Sequence, residues 1–147
     1  MSLGIYSSAD SSSVFSSDQT FTKPVIFSFD GVSGGTRIIQ MYIRNDDITK
    51  YYTGIELTPI TESGQDIING SDGFSWKLIE GSSQPTEENW LIVSDGNTIS
   101  FSNIGSSGNG DDSTYLPFWV RVTIPRNVSI QSFENVKLRI TATENNA

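Results

Sequence analysis

The stretch Phe118-Trp119-Val120-Arg121-Val122-Thr123-Ile124, closed by Pro125, decides the fold. Apolar and mixed side chains alternate along it with a period of two, the spacing of a β-strand, whose successive side chains point to opposite faces. Phe118, Val120, Val122 and Ile124 therefore share one face, and Trp119, Arg121 and Thr123 share the other. Pro125 stops the run because it has no N–H to give to a ladder. A second stretch repeats the pattern, with Val136, Leu138, Ile140 and Ala142 set against Lys137, Arg139, Thr141 and Thr143.

Working outward from these two, shorter runs of the same kind fill the chain between Gly, Asp, Asn and Pro clusters. Phe74, Trp76 and Leu78 alternate with Ser75, Lys77 and Ile79 after Asp72-Gly73, and this is the best candidate for a core strand. Ile39, Met41 and Ile43 alternate with Gln40, Tyr42 and Arg44 up to Asn45-Asp46-Asp47. Before them, Val25, Phe27 and Phe29 form a face that ends at Asp30-Gly31 and Ser33-Gly34-Gly35, which reads as a hairpin with the next run. Gly54 to Ile60 carries Ile55, Leu57 and Pro59, the proline suiting an edge or a strand end. Trp90 to Val93 and Thr98 to Phe101 flank Ser94-Asp95-Gly96-Asn97, a connection with the Asp-Gly signature of a tight turn. No window carries a sustained 3.6-residue stripe; the nearest, Thr61 to Ile68, is interrupted by Gly64 and predicts at most one helical turn. No fixed-period repeat is present. The pattern predicts an all-β chain: an immunoglobulin-like antiparallel β-sandwich of about eight strands with an extended N-terminal arm.

That arm is residues 1–21, and the sandwich is residues 22–147. Eight of the first 17 residues are Ser, too little apolar surface to offset the entropy of ordering. The arm is expected to be disordered in a free monomer, or else to dock on a neighbouring subunit through Ile5-Tyr6 and Val14-Phe15.

The chain has 147 residues, 17 acidic against 9 basic, and a net charge of −8. A nucleic acid or an anionic bilayer selects for a basic patch, so both are disfavoured as partners, and the charge is read as a means of solubility. No basic-then-apolar leader opens the sequence, and no run approaches the length of a spanning helix. The sequence is thus expected to carry neither a secretion signal nor a membrane anchor, and Asn69 and Asn127 are read as chance glycosylation matches. With no Cys and no His, disulfides, thiolate chemistry, Ser-His-Asp and Cys-His constellations and zinc or haem ligation each lose a required member. The remaining acid pairs are Asp46-Asp47, Glu87-Glu88 and Asp111-Asp112. Adjacent residues on a strand point apart and those on loops are solvated, so none is read as a catalytic dyad. Gly108 to Ser113 offers oxygens on a flexible turn but lacks the alternating ligands and distal Glu of a calcium loop. No catalytic, cofactor-binding or metal-binding residue is expected.

Two readings of Trp119 and Arg121 stay open. If the second face of their strand meets solvent, they form an exposed binding patch; otherwise Trp119 covers the sheet beneath the long glycine-rich loop. Trp76 and Trp90 are read as core.

The order of Tyr42-Ile-Arg-Asn45, Phe74-Ser-Trp-Lys-Leu78, Pro85 followed by Trp90, Tyr115-Leu-Pro-Phe-Trp-Val-Arg-Val122 and Lys137-Leu-Arg-Ile-Thr-Ala-Thr143 resembles small tailed-phage virion proteins with an immunoglobulin-like fold. The resemblance spans residues 22 to 143. It implies a structural component of the virion, such as a capsid decoration protein or a tail or neck part, with no active site to carry over. Its partners would then be itself or other virion proteins, in a homo-oligomer or bound to an assembly, through strand edges and the arm. The alternative is a carbohydrate- or receptor-binding module that uses Trp119 and the loops near residues 105 to 115.

Overall fold

In a computed structural model, residues 3–6, 14–16, 34–45, 47, 49–61, 73–105, 115–126 and 136–146 are described. They form eight strands and one short helix: β1 (Leu3–Tyr6), β2 (Val14–Ser16), β3 (Gly35–Asn45), β4 (Lys50–Thr61), β5 (Ser75–Glu80), α1 (Glu87–Ile92), β6 (Ile99–Ile104), β7 (Tyr115–Ile124) and β8 (Val136–Asn146). One sheet has the order β2-β1-β3-β7-β5 and the other β6-β4-β8, and the pairings between neighbours are antiparallel. From β3 to β8 each strand lies in the opposite sheet from the one before it.

The alternation in β7 sets the core. Phe118, Val120, Val122 and Ile124 are buried, and the first three join Met41 and Ile43 of β3 and Trp76 and Leu78 of β5 in a single apolar cluster. The same cluster holds Tyr52, Ile55 and Leu57 of β4, Ile104 of β6, and Leu138 and Ile140 of β8. The two sheets are therefore packed face to face, an all-β sandwich. Burying each of these large side chains stabilises the fold by about 1.5–3 kcal/mol.

Two polar groups enter this interior fully paired. Tyr52 is buried and its hydroxyl donates to Glu144 Oε1 at 2.8 Å. Asn45, 0% exposed, donates from Nδ2 to the carbonyls of Lys50 at 2.8 Å and Gly105 at 2.7 Å. Its Oδ1 accepts the Asp47 N–H at 3.0 Å, so it ties the β3–β4 turn to the end of β6.

Two expectations change. The segment Leu3–Tyr6 is a strand of the sheet, with all four residues buried, paired with β3 from Leu3↔Asn45 to Tyr6↔Tyr42. The expectation of an unordered arm is corrected at these four residues: Leu3 and Ile5 belong to the chain's own core. Second, Trp90 to Val93 is not a strand, because Glu87–Ile92 is helical. The Phe74–Ile79 run, expected as a core strand, does bury Trp76 and Leu78, and β5 stands at the edge of its sheet. Pro59, expected at an edge or a strand end, lies near the end of β4, in the middle strand of its sheet but beyond Leu57↔Ile99, the last pairing with β6. The expected strand at residues 25–29, the segment 62–68 and the loop 106–113 lie outside the described residues.

Candidate interaction surface

Helix α1 is short and held from several sides. Thr86 is its N-cap: the Thr86 hydroxyl accepts the Asn89 N–H at 3.4 Å, and the Thr86 N–H donates to Asn89 Oδ1 at 3.1 Å. This reciprocal box satisfies donors that a helix start leaves free, and Glu87 and Glu88 in the first turn suit the positive end of the helix dipole. Pro85-Thr86-Glu87-Glu88 was thus a readable start signal. The apolar run Trp90-Leu-Ile-Val93 masked it by mimicking a strand.

The helix lies across the outer face of the larger sheet. Along β7 the outward residues are Tyr115, Pro117, Trp119, Arg121 and Thr123; Trp119 stands opposite Gln40 on one side and Ile79 on the other, and Arg121 opposite Ile38 and Lys77. Three contacts fasten the segment after β5 to this face. Gln40 Nε2 donates to the Ser82 carbonyl at 3.1 Å, Lys77 Nζ donates to the Trp90 carbonyl at 3.0 Å, and Arg121 Nη1 meets Glu87 Oε1 at 3.3 Å. Trp90, only 1% exposed yet outside the inter-sheet cluster, is the apolar anchor of the strap.

The returning chain then closes the edge of β5. Gly96 N–H donates to the Trp76 carbonyl at 2.6 Å, the Asn97 amide pairs with both backbone groups of Leu78 at 2.8 and 2.9 Å, and the Ser75 hydroxyl bonds Asp95. A strand edge expected as a docking element is here occupied by the chain itself.

The sequence-derived site residues fall into separate places. Trp119 and Arg121 do share a face, but both are half-buried beside the strap, and Arg121 is engaged by Glu87. They do not form an open patch. Nε1 of Trp119, Nε1 of Trp90 and Nε of Arg121 are buried without a hydrogen-bond partner among the described residues. The strap's hold thus rests on Trp90 packing and the contacts above rather than on complete polar pairing. Ile5 and Tyr6 are buried in β1, while Val14 and Phe15 lie in β2, which pairs with β1; their side chains lie outside the described residues. On the same outer face, Tyr42 and Tyr115 meet edge to face, centroids 5.9 Å apart and rings at 71°, and the Arg44 guanidinium lies 5.8 Å from the Tyr6 ring centre.

What the sequence did not single out is the free side of the strap. Leu91 and Ile92 are 68% and 82% exposed, the most open large apolar side chains among the described residues. Beside them is a hollow of about 350 Å³ lined by residues that include Ile79, Glu80, Pro85, Asn89, Ile92 and Val93. Among the described residues no group of three or more Asp, Glu, His or Cys is placed to hold a metal ion, and no helix is long and apolar enough to cross a membrane. Compared with protein-family models, with curated proteins and with solved structures, the chain matches none.

Proposed function

We propose that this chain is a non-enzymatic structural protein of a phage virion, a capsid decoration, tail or neck component, that works by offering a preformed surface to neighbouring proteins. The observation that carries the docking part of this reading is the exposed pair Leu91 and Ile92 on a helix anchored from beneath by Trp90. Neighbouring aliphatic side chains held in water on a fixed element mark a protein-binding surface. The virion setting rests on the resemblance drawn from the sequence motifs, and the lack of catalytic chemistry on the absence of His and Cys. A sugar platform finds less support, since Trp119 is half-buried and Tyr42 and Tyr115 meet edge to face instead of forming one plane.

Within the sandwich class, the winding favours a jelly roll over the immunoglobulin-like order. β3 to β8 alternate between sheets, giving the orders β3-β7-β5 and β6-β4-β8. An immunoglobulin sandwich keeps consecutive strands such as its last two side by side in one sheet, whereas a jelly roll wraps the chain back and forth between two.

The test is to purify particles of the phage that encodes the chain and quantify the chain against the major capsid protein by mass spectrometry. A fixed copy number per particle, falling at least tenfold for Leu91→Ser/Ile92→Ser, supports the proposal. A chain that is made during infection yet missing from particles refutes it.

A further inference from the structure

We infer that the outer side of α1 and the adjoining hollow bind a cationic, aliphatic segment of a different protein, and not a second copy of this chain. This deepens the reading of the chain as a protein-binding assembly part and rests on it. The hollow of about 350 Å³ between strap and strand has Ile79, Pro85, Ile92 and Val93 as its apolar lining, and Leu91 stands exposed next to Ile92 in the chain. That volume accommodates one or two aliphatic side chains of a partner.

Charge then selects among occupants. Glu80 lines the hollow, and Glu87 and Glu88 stand exposed in the first turn of the helix. Two cations on the sheet face beneath the helix are already engaged within the chain: Lys77 by the Trp90 carbonyl at 3.0 Å and by Asp95 at 3.9 Å, Arg121 by Glu87 at 3.3 Å. The surface thus presents an apolar centre with an acidic rim. A two-fold contact between copies would set acidic rim against acidic rim, in a chain whose net charge is already −8. A segment with Leu, Ile or Val flanked by Lys or Arg fills the hollow and meets the rim with opposite charge.

The strap is also preformed, which keeps the entropy lost on binding small. The capping box, the Trp90 anchor and the closure of β5 by Gly96 and Asn97 hold it before any partner arrives.

The test uses the full chain at neutral pH and three end-blocked hexapeptides, KKLIKK, EELIEE and KKSSKK, followed by amide chemical shifts in NMR. Saturable binding of KKLIKK alone is expected, with shifts centred on residues 79–93, weakened at least tenfold by Leu91→Ser/Ile92→Ser and by Glu80→Lys/Glu88→Lys. These side chains are exposed, so the variants keep the fold, which their unfolding curves verify. Equal binding of EELIEE, or no saturation by KKLIKK at millimolar concentration, overturns the inference. So does a dimer in sedimentation velocity that Leu91→Ser/Ile92→Ser dissolves. That outcome names a second copy as the occupant and leaves the virion proposal standing, whereas absence from particles removes the virion setting without touching the peptide result.

Discussion

The side-chain amide of Asn97 takes the place of a neighbouring strand for Leu78: its Oδ1 accepts the Leu78 N–H at 2.8 Å and its Nδ2 donates to the Leu78 carbonyl at 2.9 Å. Leu78 lies in β5, an edge strand of the five-stranded sheet, where a row of unused backbone groups would invite pairing with another chain. One side chain satisfies two of those groups, Gly96 a third through the Trp76 carbonyl. These backbone groups of β5 are thereby paired within the chain itself.

Asn97→Ala leaves the N–H and carbonyl of Leu78 without these partners, and the loss is expected to be about 1–3 kcal/mol. Urea unfolding measures it. Asn97→Asp keeps the acceptor and loses the donor, so its loss is expected to be smaller on the N–H side and to add repulsion at the carbonyl. The alanine variant should also aggregate more readily, detected by light scattering below the unfolding midpoint. An alanine variant with wild-type stability and wild-type scattering would sink the edge-closing role.

Asn45 is a buried amide with each of its described hydrogen bonds going to the backbone of turns or strand ends. Asn45→Leu removes those bonds and leaves the carbonyls of Lys50 and Gly105 facing an apolar group. A loss of about 2–4 kcal/mol is expected, because the unpaired groups add to the lost bonds. Thermal unfolding of the variant checks it, and a shift of midpoint within error of the wild type would mean that the turn re-pairs with solvent.

Much of the sandwich was legible in the sequence because its strands obey a local rule. The two faces of Phe118–Ile124, Trp76 and Leu78 in β5, and Leu138 and Ile140 in β8 follow from period-two alternation, which needs no knowledge of partners. β1 escaped notice because it is only four residues long in a serine-rich setting, and its stability comes from β3, far along the chain. α1 was misread because a six-residue helix has too few turns to show a stripe, while Trp-Leu-Ile-Val has strong strand propensity. The strap contacts Arg121–Glu87 and Asn97–Leu78 join different elements. Local spacing has no means of announcing them.

Two glycines with the same backbone sign are expected to respond differently to a methyl group. Gly54 has φ 58° in the irregular part of β4, and a Cβ there meets nothing within 4 Å. Gly54→Ala is expected to lose only the left-handed penalty, about 1–2 kcal/mol. Gly34 has φ 66°, and its Cβ would lie 2.7 Å from the carbonyl oxygens of Ile124 and Pro125. Gly34→Ala adds a backbone collision to the same penalty and should cost more than Gly54→Ala by guanidinium unfolding. Equal losses would show that the end of β7 moves away without resistance.

The last prediction separates a core strand from a docking arm. Ile5 is 1% exposed, lies opposite Ile43 in β3 and belongs to the cluster that joins the two sheets. Ile5→Ala therefore deletes buried methyl groups and leaves a cavity, a loss of about 2–5 kcal/mol in the isolated chain. Were residues 1–6 a tail that orders only on a neighbour, the same substitution would leave the free chain's unfolding curve unchanged and weaken assembly alone. Denaturant unfolding of the purified variant distinguishes the two. The burial of Leu3, Ile5 and Tyr6 requires the first outcome, and Ser substitution at Leu91 and Ile92 provides the complement: little change in unfolding, with the loss seen only when a partner is present.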